Sequence, residues 1–389
     1  MENSIKVIVI GGNHHNTLGV IRSLGRAGIM PYVILTSGGD ESFVLKSKYI
    51  KKAWTVKGSD GVVDLLLKEF TSFDGKNVLI GCHDAIASVF DLNRDKLNPY
   101  FIVPGAELQG AISPLMYKKN MGELAERIGL KVPRMMVSNF RKYPGSNKPP
   151  FPCITKPVES KSGSKSEIKI FDDEEKLLKF LKSDASKEFV IQQFIDKAFE
   201  FQLIGCSLDG GKDIIIPGVS VILRQSKSSN TGFLQYKVLD DSFGQTVGKT
   251  KSFIQSIGYS GLFSVEFLRD KTGTDYFLEM NYRNDGNTIS VFNAGINLPY
   301  IWYLHSIGED YKKEIKPIHE EFVMPEFAEL ALYQQGLISR KEWKQDMGKA
   351  TSYMDYAPDD PAPTNGWSKY NKQKSFAVLR HWKHKLFDK

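Results

Sequence analysis

Residues 261–288, GLFSVEFLRDKTGTDYFLEMNYRNDGNT, admit few folds. Two runs of alternating β-branched and aromatic residues, 262–268 and 276–282, flank a polar segment whose Gly273 and aspartates mark a turn, so the pattern predicts a β-hairpin. Folded symmetrically, it sets Val265 against Met280 and Phe267 against Leu278 on one apolar side. Ser264 then faces Asn281, and Glu266 faces Glu279, on the other. A slip of one residue would mix the two faces.

Two carboxylates paired across strands, roughly 5 Å apart at Cβ, repel each other, so a positive partner is expected between them. Glu266, Glu279 and the amide oxygen of Asn281 are hard oxygen donors suited to Mg²⁺ (or Mn²⁺) that also holds phosphate oxygens. Arg283, at the next same-face position, carries a planar fork that matches a phosphoryl group. The solvated outer face of an ordinary hairpin has the same composition, and the spacing E-x-N-x-R does not by itself decide between the two.

The 389 residues suffice for two or three domains, and 25% charged with 41% hydrophobic residues is ordinary for a soluble globular protein. The net charge of +7 is spread along the chain, which favours anionic ligands and excludes a nucleic-acid arm. Cys82, Cys153 and Cys206 are far apart with no CxxC pair, as expected of reduced thiols in the cytoplasm. The chain enters a strand at once, so no signal peptide is expected, and no apolar run approaches the ~20 residues of a membrane span.

Residues 5–10 are a continuous apolar run typical of a buried parallel strand, followed by Gly11-Gly12-Asn13-His14-His15-Asn16 and a helix-periodic segment, 17–27. Further signals alternate at 32–35, 60–70, 78–80, 84–93 and 101–103, predicting an α/β first domain with a doubly wound parallel sheet over residues 1–112. Gly11-Gly12 invites a dinucleotide reading, but the third glycine of that fingerprint is missing. The adjacent His14 and His15 are expected to point apart as loop residues rather than to form a metal pair.

From Ser113 the pattern changes. Ser113-Pro114 reads as a helix start with Ser113 as its cap, and 117–128 is helix-periodic up to Gly129. Strands at 135–137, 153–156 and 168–171 and an acidic-started helix at 172–181 complete a small lobe, 113–187. The loop ESKSGSKS, 159–166, either folds over phosphates or is an exposed hairpin tip. A large lobe, 188–310, carries strands at 189–195, 200–207 and 214–223, a helix at 246–257, the hairpin and an aromatic helix at 300–307. Residues 311–389 form a C-terminal extension with a Pro- and Asp-rich loop, 353–370, and a basic amphipathic tail, 376–386.

Taken together, these stretches resemble the ATP-grasp superfamily from about residue 5 to about residue 310. Lys118, eleven residues before the Gly129 of IGLKVP, resembles the family's first nucleotide lysine, and Lys156 in ITKP the second. Ser162, Gly163 and Ser164 lie in what resembles the triphosphate lid, and Gln192, Gln193, Phe194 and Ile195 of FVIQQFI resemble the hinge whose backbone meets adenine. Glu200 falls near the place of the ribose-binding acid, and Glu266, Glu279, Asn281 and Arg283 match the metal motif and its arginine. Two departures stand out: glutamines occupy the hinge where many relatives carry glutamate, and Glu200 sits one residue beyond the commonest spacing.

The resemblance is strongest to bacterial carboxylate–amine ligases, including the D-aspartate ligase type and enzymes associated with surface polysaccharides. It implies an ATP- and Mg²⁺-dependent ligase acting through an acyl phosphate, with small-molecule carboxylate and amine substrates such as an amino acid or amino sugar. A phosphotransferase or carboxylase on the same fold, and a non-catalytic ATP-binding subunit, are the alternatives. Arg224 either orients an acceptor carboxylate or is a solvated strand-end arginine, Asp285 could meet an amine, and the Asn13–Asn16 loop and Asp84 lie at strand C-termini, where open α/β sheets bind ligands. No nucleic acid is expected, a homodimer is left open, and the tail is expected to dock on its own domain rather than on a membrane.

Overall fold

The computed structural model describes residues 5–39, 42–72, 75–146, 148–158, 168–225 and 232–366. Ser162, Gly163, Ser164 and the tail 376–386 lie outside the described residues.

The first unit is a parallel sheet with strands β1 (Val7–Gly11), β2 (Tyr32–Leu35), β3 (Lys52–Thr55), β4 (Asn77–Gly81) and β5 (Phe101–Ile102) in the order β3-β2-β1-β4-β5. Helices α1 (His15–Arg26), α2 (Val62–Phe70), α3 (Asp84–Leu92) and the short α4 (Arg94–Leu97) connect them. The order reverses between β1 and β4, so their C-terminal loops frame the crevice in which doubly wound sheets bind ligands. Burial on both faces explains the unbroken apolar runs of β1 and β4. Edge strand β3 was not anticipated.

Ser113 does not cap the following helix. A single 3₁₀ turn, Ser113–Met116, precedes α5 (Lys118–Arg127), because Pro114 suits the start of the turn and Tyr117 then turns to extended backbone. Gly129, at φ +86°, takes the left-handed position that ends α5. The small lobe is an antiparallel sheet of β6 (Met135–Ser138), β7 (Cys153–Pro157), β8 (Lys169–Phe171) and β9 (Phe189–Gln193) in the order β6-β9-β7-β8, backed by α6 (Glu174–Ser183). Asp173 caps α6.

The large lobe is built on β10 (Lys197–Leu208), β11 (Asp213–Ile215), β12 (Val219–Gln225), β13 (Gly232–Lys237), β14 (Gly261–Asp270) and β15 (Asp275–Asn281), with α7 (Gly244–Ile257) on its apolar face. The strand expected at 214–223 is two strands, interrupted at Pro217-Gly218, where proline has no N–H to offer a ladder. After α8 (Thr288–Asn293) and α9 (Leu298–Ser306), β16 (Glu321–Met324), α10 (Glu326–Gln334), α11 (Arg340–Lys349) and β17 (Ser352–Tyr353) follow. β16 pairs with β13, and the sheet runs β15-β14-β10-β12-β13-β16-β17, with β11 on β10.

One continuous core joins the parallel sheet, α1, α8 and α9 to the back of the large sheet. Trp302 on α9 is buried in it and donates from Nε1 to the Leu79 carbonyl of β4 at 3.1 Å. Asp359 and Asp360 are fastened to the first unit: Arg22 donates to Asp360 Oδ2 at 3.1 Å with both side chains almost fully buried, and Arg26 and Tyr49 bind Asp359.

Candidate active site

The hairpin has the expected register through Ser264–Asn281, Val265–Met280 and Glu266–Glu279. Beyond that point a β-bulge shifts the pairing, and Phe267 faces Phe277 rather than Leu278. Strict alternation would have turned Phe277 to the polar side with Glu279; the extra residue returns its ring to the core, against Phe267 and Phe253. The carboxylates stay opposed. On the other flank Gln202 of β10 pairs with Glu266, so Gln202, Glu266 and Glu279 form a row across three strands.

Cations from three elements close on this row. Lys118, the first residue of α5, forms an ion pair with Glu279. Lys156 on β7 donates to Gln192 Oε1 at 2.7 Å across the small-lobe sheet. Burial first, and then the nearby Lys118 charge, lower the Lys156 pKa to about 8 against the pull of Glu279, Glu200 and Glu266. Lys118 itself is raised: burial opposes its charge, but Glu279 and Glu266 outweigh it.

The two glutamates are driven apart. Burial, then the charges of Glu279 and Asp285, push the Glu266 carboxyl up, whereas Lys118 above all holds Glu279 down. Together they accommodate less than their full negative charge, as expected of opposed acids waiting for a cation. Among the described residues no group of three or more His, Cys, Asp or Glu is gathered to hold a metal. Two carboxylates nevertheless fit Mg²⁺, which keeps several positions for water and phosphate oxygens. Asn281 is turned away from that role: Nδ2 donates to Glu266 Oε1 at 3.3 Å, and Oδ1 accepts from Arg283 at 3.1 Å. Arg283 attracts the amide oxygen, so presenting oxygen beside Glu266 requires the amide to flip.

Arg283 joins the domains. Nε donates to Asp84 Oδ1 at 3.1 Å and Nη1 to Asp285 Oδ2 at 2.8 Å; burial opposes its charge, but Asp84, Asp285 and Glu266 raise its pKa overall. Asp285 is not open to an amine as expected, since Arg283, the Ser264 hydroxyl and the Asn287 N–H all donate to it. Arg224 is a further correction. Its guanidinium is held by Glu329 and, at 2.7 Å, by Asp346, which makes it a clamp on α10 and α11 rather than a member of this cluster or a solvated strand end.

In the hinge, the N–H groups of Gln193 and Phe194 are taken by Arg134 O at 2.8 Å and Pro152 O at 2.9 Å, Gln192 serves Lys156, and Ile195 is buried. Glu200 lies on the same face as Gln202, two residues along β10, and pairs with Lys197. The switch-point loops of the first domain pack directly on 283–287. Asn16 Nδ2 donates to Asn284 O at 2.8 Å, and a Cβ on Gly286 would lie 2.6 Å from His15 Nε2, so a larger residue there would have to displace the His15 ring. His14 and His15 do not point apart; their rings lie 3.9 Å from centroid to centroid, and His14 Nδ1 accepts from Asn16 N to cap α1.

Asn284 and Asn287, expected from the sequence to lie beside a substrate carboxylate, pack here, and Gln202, which was not singled out from the sequence, joins them. Asn287 donates to Gln202 Oε1 at 2.7 Å, and Gln202 donates to Glu266 at 3.3 Å. The alternation of Glu200 and Gln202 with Phe199, Phe201 and Leu203 is the signal that marks Gln202.

No protein-family model matches the chain. No curated protein matches it either. Solved structures do. An L-amino acid ligase from Bacillus licheniformis superposes with a TM-score of 0.63 at 16% identity, over 82% of this chain and 80% of that one. An N5-carboxyaminoimidazole synthetase from Staphylococcus aureus, complexed with ADP, gives 0.61 at 16% over 83% and 81%. A biotin carboxylase from Campylobacter jejuni gives 0.60 at 17% over 79% and 72%. These are ATP-grasp enzymes, and the chain has the ATP-grasp fold. Among the described residues no helix is long and apolar enough to cross a membrane.

Proposed function

We propose that the protein is a cytoplasmic ATP- and Mg²⁺-dependent ligase that joins a carboxylate to an amine. The observation that carries this reading is the half-buried row Gln202-Glu266-Glu279 bracketed by Lys118, Lys156 and Arg283. The likeness to an L-amino acid ligase supports the reaction class. Lys118 and Lys156 hold the phosphates, residues 192–195 meet adenine, Glu200 meets ribose, and Glu266 with Glu279 hold the cation. When bound, Mg²⁺ supplies charge neutralisation between the phosphates and these two acids.

A substrate carboxylate oxygen attacks the γ-phosphorus and ADP leaves; the amine nitrogen then attacks the acyl carbon, expelling phosphate and losing a proton as the amide forms. Such transfers depend on positioning and charge. Arg283, fixed by Asp84 and Asp285, is a preorganised donor for the phosphoryl group in flight. Lys118 would exchange Glu279 for phosphate, and a cation held by Glu266 and Glu279 would supply the positive charge that Lys118 gives up there.

The test is ADP release from the full chain with mixtures of carboxylic acids and amines, followed by mass spectrometry. Release that needs both components and yields an amide supports the ligase. ADP without amide, driven by bicarbonate or an alcohol, points to a carboxylase or phosphotransferase, and ATP binding without turnover to a non-catalytic subunit.

A further inference from the structure

A cavity of about 260 Å³ opens beside Glu279 and Asn281, where α3, the 113–116 turn, α5 and β15 meet. One wall is apolar: Leu92, Met116, Met121, Met280 and Tyr282. Met121 and Met280 are in direct contact, the Met280 N–H lying 3.0 Å from the Met121 sulfur, and such thioethers adapt to apolar groups of varied shape. The Tyr282 hydroxyl is buried with no hydrogen-bond partner among the described residues.

The opposite wall carries Asp84, with Ser88 and Ser113. Arg283 holds Oδ1 of Asp84, yet the Asp84 side chain keeps 39% of its surface exposed. The charged groups that line the cavity are both carboxylates, Asp84 and Glu279; the cations paired with them, Arg283 and Lys118, do not line it. Its charge and shape therefore suit a cation with an apolar body. At ~30 Å³ per water, the volume matches roughly eight or nine non-hydrogen atoms.

We propose that this cavity seats the amine substrate: a primary amine whose ammonium lies on Asp84 and whose aliphatic or small aromatic body fills the methionine-lined half. The assignment rests on the ligase reading and names its acceptor class. It transfers to Asp84 the role that the sequence suggested for Asp285, whose oxygens are occupied. An amine held there lies beside Glu279 and Asn281, next to the place where the acyl phosphate would form.

The experiment is calorimetric titration of the full chain, loaded with Mg²⁺ and a non-hydrolysable ATP analogue, with 3-methylbutylamine and with 4-methylpentanoate, which present similar apolar bodies with opposite charges. The amine is expected to bind and the acid to bind at least roughly tenfold more weakly. Asp84→Asn should weaken the amine by a similar factor, and Met116→Trp should remove amine binding by filling the cavity, the latter with analogue affinity near that of the parent. Equal binding of acid and amine, no amine binding at millimolar concentration to a protein that binds the analogue, or unchanged amine affinity in either variant overturns the proposal and leaves the ligase reading standing. Failure to bind the analogue at all sinks the ligase reading, and this assignment with it.

Discussion

Replacing Glu279 with glutamine separates the two roles of that carboxylate. The shape is kept and one charge is lost. Removing the charge-assisted bond from Lys118 costs about 2 kcal/mol, a moderate figure because the two side chains keep 19% and 23% of their surfaces exposed. Against that, Glu266 loses a like charge at ~5 Å, worth about 3 kcal/mol at an effective dielectric of ~20 when both acids are ionised. Burial already drives Glu266 toward its protonated form, so only part of that repulsion acts without metal. The two effects nearly cancel, and the urea midpoint without metal should move by less than the equivalent of ~1 kcal/mol. Because the fold raises the Glu266 pKa above its ordinary 4.5, that residue's stabilising contribution is present below pH 4.5 and is lost as pH rises through the raised value. The substitution lowers that value, so the variant should gain on the parent as pH rises toward neutral. With Mg²⁺ and ATP the result differs, and ADP release should fall by roughly 10²–10³. A loss of about 3 kcal/mol or more without metal would show that the acids are not strained against each other. Magnesium-dependent ADP release close to the parent's would remove Glu279 from the cation site.

Lys156→Ala should weaken binding of a non-hydrolysable ATP analogue by roughly ten- to a hundredfold in calorimetry, since one charge-assisted contact of about 1.5–3 kcal/mol is lost. With its pKa lowered to about 8, Lys156 loses its charge as pH rises through that value, so the parent's affinity should decline between pH 7 and 9 while the alanine variant's stays flatter. Arg224→Gln leaves Glu329 buried and poorly paired, so stability should fall by about 3 kcal/mol in a thermal melt with analogue affinity unchanged; a selective loss of affinity would return Arg224 to the site. Asp360→Asn should destabilise by a similar ~3 kcal/mol, because Arg22 has almost no access to water; a melt within one degree of the parent's would show that the Arg22–Asp360 tie carries no weight.

The hairpin was legible in the sequence because Ser264-Val265-Glu266-Phe267 and Leu278-Glu279-Met280-Asn281 alternate on the two sides of the turn, and one register alone sorts apolar from polar there. The bulge at Leu278 was not, since a single inserted residue leaves no trace in composition and is set by which aromatic ring the core accepts. The parallel sheet could be read from the buried runs of β1 and β4, whereas β3, KAWT, is a half-exposed edge with a lysine and no apolar run. Lys118 and Lys156 were singled out through the resemblance to ATP-grasp enzymes. Their partners could not be read, because the Lys118–Glu279 pair spans 161 residues, and Arg224 reaches Glu329 and Asp346 across 105 and 122. For the same reason Asp285 and Asp84 could not be told apart as carboxylates: what distinguishes them is how many donors each already satisfies, which depends on contacts between domains.

That distinction follows from the topology. The first domain's strand order reverses between β1 and β4, and the loops after those strands meet the segment that leaves β15. Asn284 donates its backbone N–H to Gly81 O at 3.1 Å, accepts from Asn16 Nδ2 at its own carbonyl and donates from Nδ2 to Asn16 Oδ1, so the chain after β15 is docked on the crevice rather than merely near it. Arg283 is thereby held between an acid from each domain. A rotation of the first domain against the large lobe would pull Asp84 from Arg283 and open the cavity beside Glu279 in the same movement. Long-range ties such as Arg22–Asp360 and Trp302–Leu79 oppose that rotation, whereas the row Gln202-Glu266-Glu279 is built within one sheet.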